Sequence, residues 1–568
     1  MSPTPPTDDR QPSSSNGTQG DSEGESGSAH RGAEETAEPT ETDGGADQSP
    51  PPSRKGKDRS VNVTDGALFK PLMVLSAPIV LGQLLQVGYN LADTYWVGRL
   101  GGDPVAALSY SWAIVFLIVS VGGGLTVAGT VLVAQYKGAS DFRQSHHVAG
   151  QTLSFVTLLS FLLALIGYVL APTLISLVGA TPGTDPHSMA VAYTRIIFIG
   201  VAFMFWFFIF DALSRGWGDT RTPLYLMVIS VVINVVIDPF LILGFQDNPM
   251  FAWFGLESLE TTLYDATAFT GYGVEGAAIA TVISRGFAAT VGLWLLFSGR
   301  VGLQPTLSDL WLDPRTVWKI LDVGAPIAAE QGLRAGGIAA LTAIIAIAGD
   351  DAVAAYGIVN RLSSLLFLPA LGLARGTETV VGQNLGANQI ARAKRAVSMS
   401  SAVVVGAFIV IIALAYPFAE SIVGFFLSVE ADGGVDAESV IEIGALYIWI
   451  VGPAYIFLGV FQTMLGGIRG SGSTRAAMLF GSTELWVFRI PISYLLLVPG
   501  GMGIEGVWYA VAISYVCSAA ITGVWFLRGT WAKNVIDDDT EPQSSTPEAT
   551  SDGENDVGDS EADVGADD

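Results

Sequence analysis

A single cysteine, Cys517, stands among 568 residues, and one thiol cannot close an intrachain disulfide. Histidine is nearly as scarce: of His30, His146, His147 and His187, the adjacent pair lacks the spacing and acidic neighbours of a zinc site and reads as a solvated loop. Charged residues make up 14% of the chain against 50% hydrophobic, which excludes a soluble enzyme. With 28 Lys and Arg against 53 Asp and Glu, there is no clustered basic surface for nucleic-acid phosphates. No GxxxxGK[ST] run occurs. Gly271-Tyr-Gly-Val-Glu-Gly fits a phosphate loop, but no strand precedes it and it recurs as Gly501-Met-Gly-Ile-Glu-Gly, so both read as turns into helices and ATP is not implied.

What is abundant is apolar sequence. Between about Pro71 and Arg528, runs of roughly 20 to 30 apolar residues alternate with short polar punctuation, and about 20 such residues cross a bilayer as a helix. Twelve spans are predicted: 72–97, 105–134, 148–177, 190–213, 223–245, 273–298, 317–348, 353–382, 396–427, 441–467, 477–498 and 503–527. Residues 1–60 and 529–568 are a different material, holding 12 and 13 of the Asp and Glu and almost no aliphatic residues, and are expected to be disordered tails. The N-terminus shows no short apolar core with a small-residue cleavage site, so no removable signal peptide is expected. Only 7 Lys accompany 21 Arg, and with the acidic tails this suggests a halophilic host, whose salt screens like-charge repulsion. Loops after the even-numbered spans carry twelve Lys and Arg, from Lys137 and Arg143 to Arg469 and Arg475; the opposite loops carry Arg99 alone. Both termini are therefore expected on the cytoplasmic side of a multi-pass cell-membrane protein.

The first six spans recur in the last six. Ser76-Ala-Pro-Ile returns as Gly324-Ala-Pro-Ile, and Val133-Ala-Gln-Tyr-Lys-Gly as Val381-Gly-Gln-Asn-Leu-Gly, both 248 residues on. Arg215-Gly-Trp-Gly-Asp-Thr-Arg pairs with Arg469-Gly-Ser-Gly-Ser-Thr-Arg. The expected fold is all-α, with twelve transmembrane helices in two pseudo-symmetric six-helix lobes around a central cavity, residues 61–300 and 301–528. Duplicated lobes of this kind serve secondary transporters.

At these residues the chain resembles the multidrug and toxic compound extrusion (MATE) family. The resemblance is carried by Asn90-Leu-Ala-Asp-Thr-Tyr-Trp-Val-Gly, by the Arg215 motif, by Asn234-Val-Val-Ile-Asp-Pro, by Gly276-Ala-Ala-Ile-Ala-Thr and by Val381-Gly-Gln-Asn-Leu-Gly-Ala, and it covers about residues 61 to 528. It implies export of organic cations or other amphipathic compounds, exchanged for H+ or Na+, with no other cofactor and with coupling acids in the N-lobe. A monomer in the lipid bilayer is expected. A lipid-linked oligosaccharide flippase and a channel are the competing readings.

An acid inside a span is costly, about 2.5 to 3.5 kcal/mol at mid-helix, and is a functional candidate by default. Asp93 and Asp238 are the two, with Asn234 one turn from Asp238 and Thr281 at matching depth on span 6. Two carboxylates in a low-dielectric pocket repel, so the pair is expected to take up a proton or, with amide and hydroxyl oxygens beside it, Na+. The alternative is an interfacial Asp93 and an Asp238 capping a helix break at Pro239. Pro78 deprives Val74 of its helical hydrogen bond and marks a possible bend in span 1, although Pro326 repeats it in span 7. Tyr89 is read either as a donor to Asp93 or as packing. The C-lobe lacks the cluster, because Asn234 and Asp238 align with Phe488 and Ile492. Glu330 and Arg334, four apart, are expected to pair, with a second proton site as the alternative. Asp211, Arg361, Arg375 and Glu378 also fall in or near spans, without an assigned role.

Overall fold

A chain in hydrocarbon must satisfy its own backbone N–H and C=O groups, and the apolar runs do so as helices. The computed structural model describes residues 60–430 and 436–536; most of both acidic tails lies outside that range. The first lobe comprises α1 (Phe69–Gly98), α2 (Gly102–Gly138), α3 (Phe142–Leu177), α4 (Asp185–Trp217), α5 (Arg221–Leu243), two short helices α6 (Pro249–Trp253) and α7 (Glu257–Thr267), and α8 (Val274–Phe297). The second comprises α9 (Pro314–Ile345), α10 (Asp350–Gly386), α11 (Ile390–Ala415) with α12 (Ala419–Glu430), α13 (Ala437–Val451) with α14 (Tyr455–Gly470), α15 (Thr474–Thr483) with α16 (Ile490–Leu497), and α17 (Gly503–Arg528). Eleven of these runs are each long and apolar enough to cross a membrane. The twelfth is α15–α16, divided by a π-helical stretch at Glu484–Arg489. No strand occurs among the described residues.

All twelve expected spans coincide with helices, but several helices outrun them. α2 continues to Gly138 and α3 begins at Phe142, because hydropathy detects the hydrocarbon-crossing part while the helix goes on into water. There Asp141 caps α3, accepting from the Gln144 N–H at 3.0 Å. His146 and His147 thus sit on the first turns of α3 and not in a loop. His146 stacks on Trp217, and His147 bonds Asp309 of the inter-lobe connection at 3.2 Å. Burial pushes the Asp309 carboxyl up, but hydrogen bonds from Thr306 and His147 outweigh it and hold the group below its ordinary value.

The phosphate-loop lookalike is a turn. Gly271 and Gly273 have positive φ (84° and 58°), and a Cβ on Gly276 would strike the Leu241 carbonyl where α8 crosses α5.

Each lobe has its own core, around Phe205, Phe210 and Leu132 in the first and around Trp508, Phe461 and Leu458 in the second. α1 is shared. Its inner end, with Leu72 and Leu75, packs with Val380 and Val381 of α10 and Ala393 and Val397 of α11, whereas further along it packs on α5. The chain boundary at residue 300 therefore does not divide the packing, since the first helix stands in both lobes.

Candidate coupling site

α5 carries Asn234 and Asp238 one turn apart, and both side chains are fully buried. Asn234 Nδ2 donates to Asp238 Oδ1 at 3.0 Å. α1 brings Asp93, 1% exposed, against the Asp238 carboxyl and the Asn234 amide. Thr281 of α8 closes the group by accepting from the Tyr89 hydroxyl at 2.7 Å. All four candidate residues and Tyr89 therefore meet inside the first lobe. Asp93 Oδ1, Asp238 Oδ2 and Asn234 Oδ1 are buried acceptors without a donor among the described residues, a set of oxygens suited to a shared proton or a small hard cation.

Several expectations change. Tyr89 donates to Thr281 and not to Asp93, so it ties α1 to α8. Asp238 does not cap a break: α5 runs through Pro239 to Leu243, and the Pro239 carbonyl accepts from Asn248 Nδ2 at 2.9 Å. Asp93 is enclosed by protein. α1 is likewise continuous through Pro78, and α3, α5, α9 and α10 also carry an interior proline. Glu330 does not pair with Arg334. Its partner is Arg469 of α14, and Arg334 lies over the Phe367 ring, 4.5 Å from its centre. A shared helix face permitted the i, i+4 pair, but a cation from another helix reaches the buried carboxylate.

Arg285 is the residue that sequence reasoning missed. It is 3% exposed, one turn beyond Thr281 on α8, and its guanidinium lies over the rings of Tyr89 (5.0 Å) and Phe207 (5.3 Å). It donates to Gln86 Oε1 and to Met227 Sδ and forms no ion pair with either acid. Its i+4 spacing from Thr281 was the available signal. Tyr193 of α4, 3% exposed, also faces the acids, with no such signal.

Other intramembrane charges gather between the lobes. Asp211 pairs with Arg215 at 3.1 Å, and Arg375 and the buried Glu378 of α10 lie within Coulombic reach of Arg215 and Arg469. Arg361 is exposed on α10.

The MatE family model matches the chain twice, over residues 78–240 and 326–495, more than half of its length, and the two matches begin 248 residues apart, the offset of the internal repeat. The chain belongs to the MatE family. Among the most similar relatives of this MatE protein is the probable multidrug resistance protein YoeA of Bacillus subtilis, 28% identical over 83% of this chain and 96% of that one. Another is the probable multidrug resistance protein NorM of Thermotoga maritima, 26% identical over 82% and 94%. A solved MOP superfamily transporter from Pyrococcus furiosus shares the fold, with a TM-score of 0.74 at 21% identity, covering 84% of this chain and 98% of the other.

Proposed function

We propose that this protein is a secondary active exporter of amphipathic organic compounds, organic cations among them, that exchanges them for H+ or Na+ through Asp93 and Asp238. The observation that carries the proposal is a pair of carboxyl groups side by side, 1% and 0% exposed, with no Lys or Arg among the described residues ion-paired to either. Two bare charges there would be prohibitively costly, so the pair must hold a proton or a cation, and its occupancy must change whenever water reaches it. α1 is the link to the lobes: its outer half carries Asp93, and its inner half packs against α10, where Gly372 and Gly376 admit Val80 and Ser76. Charge loss at Asp93 thereby acts on a helix that belongs to both lobes. The multidrug-resistance names of the relatives support the substrate class. The basic loops support cytoplasmic termini.

A flippase would need a cationic surface for pyrophosphate. Here Arg215, Arg375 and Arg469 stand among Asp211, Glu378 and Glu330, so that group of three cations is matched by three acids.

Dye efflux from reconstituted vesicles under imposed pH and Na+ gradients tests the reading. Asp238→Asn is expected to lower gradient-driven efflux by about 5- to 150-fold, the usual range of a coupling energy. Undiminished efflux in that variant overturns the assignment, and the gradient that drives efflux in the parent identifies the ion.

A further inference from the structure

The lobes meet where α1 and α2 face α9 and α10. The closest approaches lie towards the ends bearing the basic loops, and glycine marks them. A Cβ on Gly138 would collide with the Gln383 carbonyl, and one on Gly386 with the Gln135 carbonyl. Gly138 and Gly386 are 248 residues apart, and so are Gln135 and Gln383.

These two glutamines cross from lobe to lobe. Gln135 Nε2 donates to the Gly470 carbonyl at 3.0 Å, and Gln383 Nε2 to the Gly216 carbonyl at 2.8 Å. Both acceptors occupy the same place in their lobes, the glycine after the arginine in Arg215-Gly-Trp-Gly and Arg469-Gly-Ser-Gly. They belong to the last turns of α4 and α14, where helical carbonyls lack an intrahelical donor. Each lobe therefore completes a helix end of the other. Both glutamine side chains are buried, at 0% and 2% exposure. The two ends of the described chain are stitched to the same points. The Val61 N–H donates to the Gly218 carbonyl at 3.1 Å, and the Val535 N–H donates to Gln135 Oε1 at 2.8 Å.

We infer that Gln135 and Gln383 form a two-fold latch that holds the lobes closed on the basic-loop face, and that breaking both bonds is the step that opens this face to substrate. The inference rests on the exporter reading above. An amide suits the task. It carries no charge to be stranded when the lobes are shut, and water can take over both the amide and the carbonyl when they part. Because the bonds are related by the repeat, either one alone retains part of the closure.

The test uses the full chain with Cys517→Ser and Ser76→Cys. Position 76 is buried on α1 against Gly376, so a hydrophilic maleimide reaches the introduced thiol only when the lobes separate. In detergent, Gln135→Ala and Gln383→Ala are each expected to speed labelling about fivefold, and the pair to speed it more than either alone. Equal labelling rates in the parent and the paired variant overturn the latch. Should the alanine pair fail to purify as a single species, Gln135→Asn with Gln383→Asn retracts each amide by one methylene and carries the same expectation and the same overturning result. Labelling needs no transported compound, so faster labelling of the paired variant together with a parent that shows no gradient-driven efflux sinks the exporter reading and leaves the latch.

Discussion

Arg285 changes the electrostatics of the candidate coupling site without neutralising it. Its guanidinium lies over two aromatic rings and donates to Gln86 and Met227, so its positive charge stands beside the acids without pairing with them. A desolvated cation over a ring is worth about 2 kcal/mol. Arg285→Gln keeps a donor but loses the charge and the stacking plane, and thermal unfolding in detergent is expected to show a loss of about that size. Arg285→Lys is expected to recover little of it, because an ammonium cannot cover two rings and reach Gln86 and Met227 together. A lysine variant as stable as the parent would show that charge alone matters.

At the scale of the element, the run from α15 to α16 differs from every other pass in its π-helical stretch, a feature frequent at functional sites. The extra residue per turn brings Glu484 and Arg489 into contact as a buried pair, with Arg489 Nε also donating to Ser514 at 3.1 Å and its guanidinium 4.6 Å from the Tyr515 ring centre. Removing one member of such a pair strands the other. Arg489→Met should therefore cost about 3–5 kcal/mol, and adding Glu484→Leu should restore most of it. Thermal unfolding of the single and double variants decides the matter. If the double variant is no better than the single, the pair does more than cancel its own charges.

For the molecule as a whole, the question is where the two lobes touch. Each has its own apolar core, the first taking in Ile320 and Val323 of α9, and between them run α1 and groups of Arg and acid. The fit of Gly138 and Gly386 against the other lobe's main chain sets how closely the basic-loop face can shut. Gly138→Ala together with Gly386→Ala is expected to hold that face open. Hydrogen exchange should rise in the last turns of α2 and α10 and stay unchanged near Asp103 and Asp351 at their first turns, while efflux falls. Unaltered exchange in the last turns would mean that neighbouring side chains absorb the added methyl groups.

The twelve passes, the repeat and the acid pair were legible in the chain itself. Each follows from a rule that acts along one dimension: the bilayer fixes how long an apolar run must be, duplication leaves its offset, and a carboxylate in such a run stands out by its cost. What lay beyond reach were partners. Tyr89 bonding Thr281, Glu330 meeting Arg469, Arg285 lying over two rings and Gln135 reaching Gly470 all depend on how helices far apart in sequence are rotated against one another. Spacing along one helix says which face a side chain shares, and only packing says what that face meets. The repeated Gln and Gly motifs were visible as text, but their joint work as a clasp between lobes was decided by the tertiary structure, because a hydrogen bond needs its acceptor within about 3 Å and no offset in a sequence carries that distance.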